Sequence, residues 1–169
     1  NTEMSALEIK RTALYLKGWG EEDFYQEAID KFLEEDKDNF PDEVTVLFTG
    51  SSSIRFWDSL EEDMEPLEVL NRGFGGAQIS HVIHHFEVIV KPYNPKAIVF
   101  FCGTNDINGW NTPEDVFTEF ENFYNSVKEK LPKTMVFAIS IQPSPSRFDQ
   151  RPRQQKWNES VRNLSLIHI

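Results

Sequence analysis

Short apolar runs, rich in β-branched and aromatic residues, are the feature that most constrains the fold of this chain. The clearest are Val44 to Thr49, Ala97 to Cys102 and Met135 to Ile141. Runs that are apolar at nearly every position are typical of strands buried on both faces. Leu67 to Leu70 is a shorter run of this kind, and Leu164 to Ile169 alternates as a fifth strand would. The chain is therefore expected to contain a sheet of four or five strands.

Amphipathic helical patterns separate these runs. Apolar residues spaced three and four apart fill residues 23–38, and similar patterns run from Ile79 to Val90 and from Pro113 to Lys130. A weaker pattern covers Arg153 to Val161, after a proline-rich stretch from Gln142 to Gln155 that is expected to be a long polar loop. Strands that alternate with helices of this length indicate a parallel sheet covered on both faces. The expected fold is a three-layer α/β/α sandwich.

The 169 residues are expected to form one domain, because a chain of this size buries one sizeable core. Residues 1–22 have mixed polarity and are interpreted as an N-terminal arm. The lone Cys102 excludes an intrachain disulfide and a cysteine-rich metal site. None of the acidic clusters has the spacing of a calcium-binding loop. No metal and no other cofactor is therefore expected.

The formal net charge of −11 argues against a partner that is itself strongly negative. No nucleic-acid partner is therefore expected. The chain has no run of 18 apolar residues, so no membrane span is expected either. Because the first residue is Asn1 rather than Met, both a cytoplasmic location and secretion after loss of a leader stay open.

Small and polar residues follow three of the predicted strands. Gly50 to Ser53 follows the first strand, Asn71 to Gly76 the second, and Gly103 to Asp106 the third. In an open parallel sheet the active crevice lies outside the carboxyl ends of the strands. A serine in a sharp strand-to-helix turn suits a nucleophile, and a backbone N–H in a glycine run or an Asn amide suits an oxyanion donor. The three loops together favour an acyl-transfer site.

Each loop taken alone has an ordinary explanation. The first is also typical of a helix cap or a phosphate cradle, the second of a tight turn, and the third of a local turn built by Asn and Asp. A phosphate-binding flavodoxin-like domain would use the first loop but would leave Gly75, Gly76 and Asn105 unexplained. The succession of all three loops therefore ranks the acyl-transfer interpretation ahead of the phosphate-binding one.

From about Phe32 to Arg147 the chain resembles the SGNH hydrolases, also called GDSL-like esterases and lipases. The resemblance implies their flavodoxin-like α/β fold and places the nucleophile at Ser52. It also implies that the backbone N–H of Gly76 and the side-chain amide of Asn105 are the oxyanion donors. The implied function is a serine esterase that hydrolyses carboxylic esters, with short-chain acyl or acetyl groups, through an acyl-enzyme on Ser52. Its partner would be a small-molecule ester, and the residues that bind the rest of the substrate are not identified.

The chain departs from the family's pattern at two places. Ser51 stands where the commonest motif has Asp, which leaves the nucleophile position unaffected. The Asp-x-x-His stretch that supplies the family's general base does not occur, so the chain is expected to be truncated before it, and the last six residues are interpreted as either a native strand or a foreign ending. His81, His84 and His85 are interpreted as packing or surface residues. His168 is the one late candidate for a base, but no Asp lies near it in the sequence.

The missing base has a mechanistic consequence. Loss of a triad member costs roughly 10⁴–10⁶ in turnover, so weak or absent esterase activity is expected unless a partner chain or a rearranged histidine supplies the base. The alternative function is a catalytically impaired or silent module that binds ester or carbohydrate ligands, with Arg147 a candidate contact for an anionic or carbohydrate group. Truncation also predicts exposed apolar surface and hence a homo-oligomer.

Overall fold

A five-stranded parallel sheet forms the centre of the chain in its computed structural model, which describes residues 21–108, 111–164 and 167–168. The strand order is β2-β1-β3-β4-β5, and every neighbouring pair is parallel. The strands are β1 Val46–Gly50, β2 Val69–Gly73, β3 Ala97–Phe101, β4 Met135–Ala138 and β5 Ile167–His168.

Helices connect the strands and lie on both sides of the sheet. They are α1 Gln26–Asp38, α2 Ser52–Arg55, α3 Leu60–Asp63, α4 Ile79–His84, α5 Phe86–Ile89, α6 Thr104–Asn108, α7 Pro113–Lys130 and α8 Arg151–Asn163. Short 3-10 turns occupy Glu22–Tyr25, Lys91–Tyr93 and Pro145–Gln150. None of the helices in the described ranges is both long and apolar enough to span a bilayer. The arrangement confirms the predicted three-layer α/β/α sandwich.

The two faces of the sheet bury different residues, because successive side chains of a strand point to opposite sides. The major face, which carries Leu47, Ile98 and Phe100, packs under α1, α4, α5, α7 and α8. The minor face, which carries Phe48 and Val99, packs under α2 and α3. Alternation within near-continuous apolar strands therefore divides the core into a larger and a smaller cluster.

The register places the carboxyl ends of three strands at one level. Gly50, the last residue of β1, pairs with Gly73 of β2 on one side and with Phe101 of β3 on the other. Each of these residues is the last of its strand. The loops that follow β1, β2 and β3 therefore leave the sheet side by side at one edge.

Helix α7 confirms its sequence prediction at both ends. Thr112 Oγ1 accepts a hydrogen bond from the backbone N–H of Asp115 at 3.1 Å, and the Asp115 carboxylate accepts one from the backbone N–H of Thr112 at 3.1 Å. This reciprocal pair is a capping box, and Pro113 lies in the first turn, where its missing N–H costs nothing.

The second strand was predicted two residues too early. The sequence pattern placed it at Leu67 to Leu70, but β2 runs from Val69 to Gly73 and Leu67 is exposed. Asn71 and Arg72 continue the strand because the fold supplies partners for their polar groups. The buried Arg72 guanidinium bonds the Asp36 carboxylate and lies over the Tyr93 ring. An apolar pattern cannot reveal such partners, which come from distant parts of the chain.

Two other predicted boundaries change. The predicted loop from Gln142 to Gln155 is shorter, because α8 already begins at Arg151 and accommodates Pro152 in its first turn. The predicted helix from Ile79 to Val90 is interrupted at His85, which leaves two short helices. Residues 1–20 of the predicted N-terminal arm lie outside the described residues.

Candidate active site

Gly50 allows the chain to turn sharply from β1 into the helix that carries Ser52. Its φ is +130°, and a Cβ there would stand 2.1 Å from the backbone oxygen of Phe101, so only glycine fits. The next residue, Ser51, is buried and donates its backbone N–H to that oxygen at 2.9 Å. The backbone N–H of Ser51 thus holds the turn, whereas its side chain makes no capping hydrogen bond to α2. The departure from Asp at this position therefore leaves the turn intact.

Ser52 is the first residue of α2, which is a single turn of four residues. So short a helix has little macrodipole, and any stabilisation of negative charge must come from individual N–H groups. Ile54 is buried on the minor face and sets the rotation of the turn, while Ser53 is exposed. Ser52 is partly exposed, and among the described residues its Oγ has no hydrogen-bond partner. Ser52 is thus not fully buried, and its hydroxyl is not committed to a hydrogen bond within that part of the chain.

Asn71 ties the turn of α2 to the end of β2. Its Nδ2 donates to the backbone oxygen of Ile54 at 2.7 Å, and its Oδ1 accepts from the backbone N–H of Gly73 at 2.9 Å. A Cβ on Gly73 would stand 2.7 Å from the backbone nitrogen of Arg55, so the close approach requires glycine. The second loop is therefore packed directly against the element that holds Ser52.

The third loop is hydrogen bonded to the second through the backbone oxygen of Ala77. Asn105 Nδ2 donates to that oxygen at 2.9 Å, and the Cys102 thiol lies 3.3 Å from it. Ala77 follows Gly76, which adopts a φ of +83°. An Asn amide carries two N–H groups, and the bond to Ala77 uses one of them. The other has no hydrogen-bond partner among the described residues.

Asp106 holds the start of α4 against the same edge. Its Oδ1 accepts from the backbone N–H of Ile79 at 3.0 Å, while its Oδ2 has no partner within the described residues. Burial raises the pKa of Asp106 to about 7, because desolvation outweighs the backbone N–H groups that favour the carboxylate. Burial, with the nearby Asp106 charge, also raises the pKa of the Cys102 thiol. Cys102 is therefore a packing residue rather than a second nucleophile.

Ser52, Gly76 and Asn105 come from three different loops that the structure joins by short contacts at one edge of the sheet. Asn105 bonds the residue after Gly76, and Gly73 of the same loop abuts the helix that carries Ser52. The contacts from Asn71 and from Asp106 were not anticipated from the sequence. Their signal was present, because Asn71 and Asp106 are polar residues in the segments that follow the predicted second and third strands.

The three described histidine side chains contact residues other than Ser52. His81 Nδ1 accepts from the backbone N–H of Gln78 at 3.1 Å. His84 Nε2 lies 3.2 Å from an Asp23 oxygen, and His85 is buried with its ring centroid 6.3 Å from that of Phe74. These contacts fit packing and surface roles. Within the described residues, no histidine contacts the Ser52 hydroxyl.

His168, the late candidate for a base, lies in β5, and its side chain is outside the described part of the structure. In the described ranges no three His, Cys, Asp or Glu side chains are grouped as a metal site requires.

A concavity of about 480 Å³ lies away from this edge. It lies among residues of α1 and the segment from Val88 to Pro92, and neither Ser52 nor Asn105 lines it. A smaller one of about 170 Å³ is lined by Asp106 and by residues of α4 and α7. Ligand sites usually occupy concave surfaces. Here the chemistry-bearing residues, rather than the larger concavity, define the candidate site.

Residues 38–166 match the model of the GDSL-like lipase/acylhydrolase family. The chain belongs to this family. It is 29% identical over 152 residues to platelet-activating factor acetylhydrolase IB subunit alpha2 of Homo sapiens. The aligned region covers 88% of this chain and 63% of that protein. The subunit of the same name from Gallus gallus is 29% identical over 147 residues, with 85% and 61% covered. The chain thus spans about 60% of the length of these curated relatives.

Solved structures of other proteins share the fold of the chain. A structure from Streptococcus pneumonia, whose name refers to platelet activating factor, has a TM-score of 0.76 at 20% identity and covers 96% of this chain and 77% of its own. A GDSL-like lipase from Bacteroides thetaiotaomicron has a TM-score of 0.66 at 18% identity, with 83% and 76% covered. Family and fold together make this chain a relative of ester hydrolases in general.

Proposed function

We propose that this chain is a serine esterase that hydrolyses carboxylic esters with short acyl or acetyl groups through an acyl-enzyme on Ser52. The observation that carries the proposal is the joining of three loops at one edge, with the partly exposed Ser52 on the first and the Asn105 amide bonded to Ala77, the residue after Gly76. The curated relatives are acetylhydrolases by name, which supports a short acyl group.

In the proposed reaction Ser52 Oγ attacks the ester carbonyl carbon, and a general base takes the hydroxyl proton. The carbonyl oxygen becomes an oxyanion that accepts hydrogen bonds from the Gly76 backbone N–H and from Asn105 Nδ2. The carbon–oxygen bond to the alcohol then breaks, and the alcohol leaves with a proton. Water attacks the acyl-enzyme in the same way and releases the carboxylic acid and the Ser52 hydroxyl. Each oxyanion donor is worth on the order of 10²–10³ in rate.

The test measures whether hydrolysis depends on Ser52 and whether an added base restores it. Wild-type chain, Ser52→Ala and the matched control Ser53→Ala are assayed on 4-nitrophenyl acetate, with and without imidazole. Wild type and Ser53→Ala are expected to accelerate with imidazole, because imidazole can act as a base where no described histidine contacts Ser52. Ser52→Ala is expected to stay at the rate of imidazole in free solution. Equal rates for wild type and Ser52→Ala under both conditions would remove Ser52 from the mechanism.

A second function, binding of ester or carbohydrate ligands without turnover, is favoured by one observation. Within the described residues Ser52 Oγ contacts no histidine. A fluorophosphonate reagent separates the two proposals, since it labels only an activated serine. A mass increase located on Ser52 supports the esterase, whereas an unlabelled protein that still binds ester ligands supports the silent module.

Self-association is also proposed. The described exposed large hydrophobic side chains include Phe56 next to α2 and Met135 on β4. Light scattering that gives the mass of two or more chains would support this proposal, and a monomer of 19.7 kDa would contradict it.

A further inference from the structure

Arg147 lies beside the proposed oxyanion donor Asn105. Its Nη1 is 3.4 Å from both Asn105 Oδ1 and the backbone oxygen of Thr104, and the side chain is partly buried. These two contacts engage one of the three guanidinium nitrogens. In the described parts of the chain, Nε and Nη2 have no hydrogen-bond partner. An edge of the guanidinium is therefore unused next to the site.

A second arginine, Arg55, lies close to the loop that carries Gly75 and Gly76. A Cβ on Gly75 would stand 2.8 Å from Arg55 Nη1, so the guanidinium reaches the residue just before Gly76. Arg55 is three residues beyond Ser52 on α2, is exposed, and has its guanidinium 5.3 Å from the centre of the Phe56 ring. Two guanidinium groups thus lie close to the loops of the proposed oxyanion site, Arg55 at Gly75 and Arg147 at Asn105.

Neither guanidinium is neutralised by a carboxylate. Although the chain has 28 Asp and Glu residues against 17 Lys and Arg, no described carboxylate lies within ion-pair distance of Arg55 or Arg147. Arg72 shows the contrast, because it is buried and held by Asp36 and Tyr93. Arg72 therefore has a structural role, whereas Arg55 and Arg147 are available to an external anion.

We infer that Arg147, assisted by Arg55, binds an anionic group of the ligand, so that the preferred esters of this site carry a carboxylate or a phosphate near the scissile bond. The inference rests on the proposed function only in taking the ligand to be an ester. Binding of an anion at this site does not require turnover. A guanidinium edge made of Nε and Nη2 matches the two oxygens of a carboxylate or phosphate, and such charge-assisted pairs are about twice as strong as neutral ones.

The experiment measures anion binding without chemistry. The Ser52→Ala chain is titrated with benzoate, phenyl phosphate and the neutral benzyl alcohol, with dissociation constants followed by NMR. Arg147→Gln, Arg147→Lys and Arg55→Gln are made in the same background. Arg151→Gln is the matched control, because Arg151 is an exposed arginine on α8 whose guanidinium lies over Phe148 and away from Asn105.

Arg147→Gln is expected to weaken binding of the preferred anion about 10-fold, and Arg55→Gln about 3-fold because Arg55 is more exposed. Arg147→Lys should recover part of the loss, Arg151→Gln should stay within twofold, and benzyl alcohol should be unaffected throughout. Tighter binding of benzoate or of phenyl phosphate identifies which anion the site prefers. The inference is overturned if neither anion binds, or if Arg151→Gln weakens binding as much as Arg147→Gln.

A comparison of two esters connects this site with the proposed function. With imidazole present, the wild-type chain should prefer 4-acetoxybenzoate over its neutral methyl ester, and Arg147→Gln should remove the preference. Anion binding that persists while Ser52 proves inert would contradict the esterase and leave the anion site standing. Ester hydrolysis by Ser52 at equal rates on the charged and the neutral ester would support the esterase and contradict the anion site.

Discussion

The two faces of the sheet differ in how they are covered and in what they carry. On the major face the described helices bury aromatic side chains completely; Phe100, Phe120 and Phe123 are each at most 1% exposed. On the minor face the described helices are the short α2 and α3, and Phe101 and Phe137 remain half-buried. The more deeply buried face should dominate stability, while the less covered face carries the turn that presents Ser52.

The candidate site lies where the two faces meet. Ser52 reaches the edge on α2 from the minor face, and Asn105 reaches it on α6, whose Ile107 is buried in the major-face core. Chemistry placed at such a boundary is accessible yet held by a rigid core. Stability and the proposed activity should therefore respond to different substitutions.

Two substitutions in β3 compare the contributions of the two faces to stability, and one of them should cost the most. Phe100 and Phe101 are neighbours on β3 that face opposite sides, and Phe100 stacks on Phe123 with ring centroids 4.3 Å apart. Phe100→Ala is expected to lower the free energy of unfolding by about 3–5 kcal/mol, and Phe101→Ala by roughly half as much, because its ring is less buried. Urea denaturation of both variants measures this, and equal losses would break the contrast between the faces.

A smaller effect should separate activity from stability. Asn105→Ala is expected to lower Ser52-dependent, imidazole-assisted turnover by about 10²–10³, since the proposed oxyanion donor is lost. Its cost in unfolding free energy should be about 1–3 kcal/mol, from the lost bond to the Ala77 oxygen. Asn108→Ala, at the other end of α6, is the matched control and should leave turnover within twofold. A comparable drop in turnover for Asn108→Ala would show that α6 acts through folding alone.

Asp106 adds a pH dependence to the stability of the edge. Its pKa of about 7 in the folded chain lies above the ordinary 3.8. Between these pH values the folded state keeps a proton that the unfolded state has lost, so stability falls as pH rises, by at most about 1.4 kcal/mol per unit, and levels off above pH 7. Asp106→Asn keeps an acceptor for Ile79 but cannot ionise.

The measurement compares urea denaturation of wild type and Asp106→Asn from pH 4 to pH 8. The wild type should lose stability relative to the variant as pH rises to about 7. Parallel curves for the two proteins would show that Asp106 keeps its ordinary pKa in the folded chain.

The smallest expected effect concerns the N-terminus of α7, which covers the major face. Thr112→Ala removes the side-chain cap and is expected to cost about 1 kcal/mol. Thr118→Ala, an exposed change within the same helix, should stay within about 0.5 kcal/mol. Thermal unfolding of the two variants decides the matter, and equal shifts would mean that the cap contributes nothing.

Much of the fold was predictable because its signals are local. The strand cores, the boundaries of α7 and the parallel pairing of the strands follow from apolar runs and helical spacing that lie close together in the chain. The residues Ser52, Gly76 and Asn105 were named from a resemblance and from glycines at strand ends. The end of β2 was not predictable, because Asn71 and Arg72 are satisfied by partners 17 to 36 residues away.

The class of fold, the family and the three loops that carry polar residues could be predicted from the sequence, since they depend on pattern and motif. The bond from Asn105 to Ala77 beside Gly76 emerged only from the fold. The same holds for the buried Asp106, one of whose oxygens has no partner among the described residues, and for Arg147, which lies next to the site with no described carboxylate in ion-pair contact. The physical reason is that hydrogen bonding, burial and charge pairing depend on distances between groups far apart in the chain, and folding alone sets those distances.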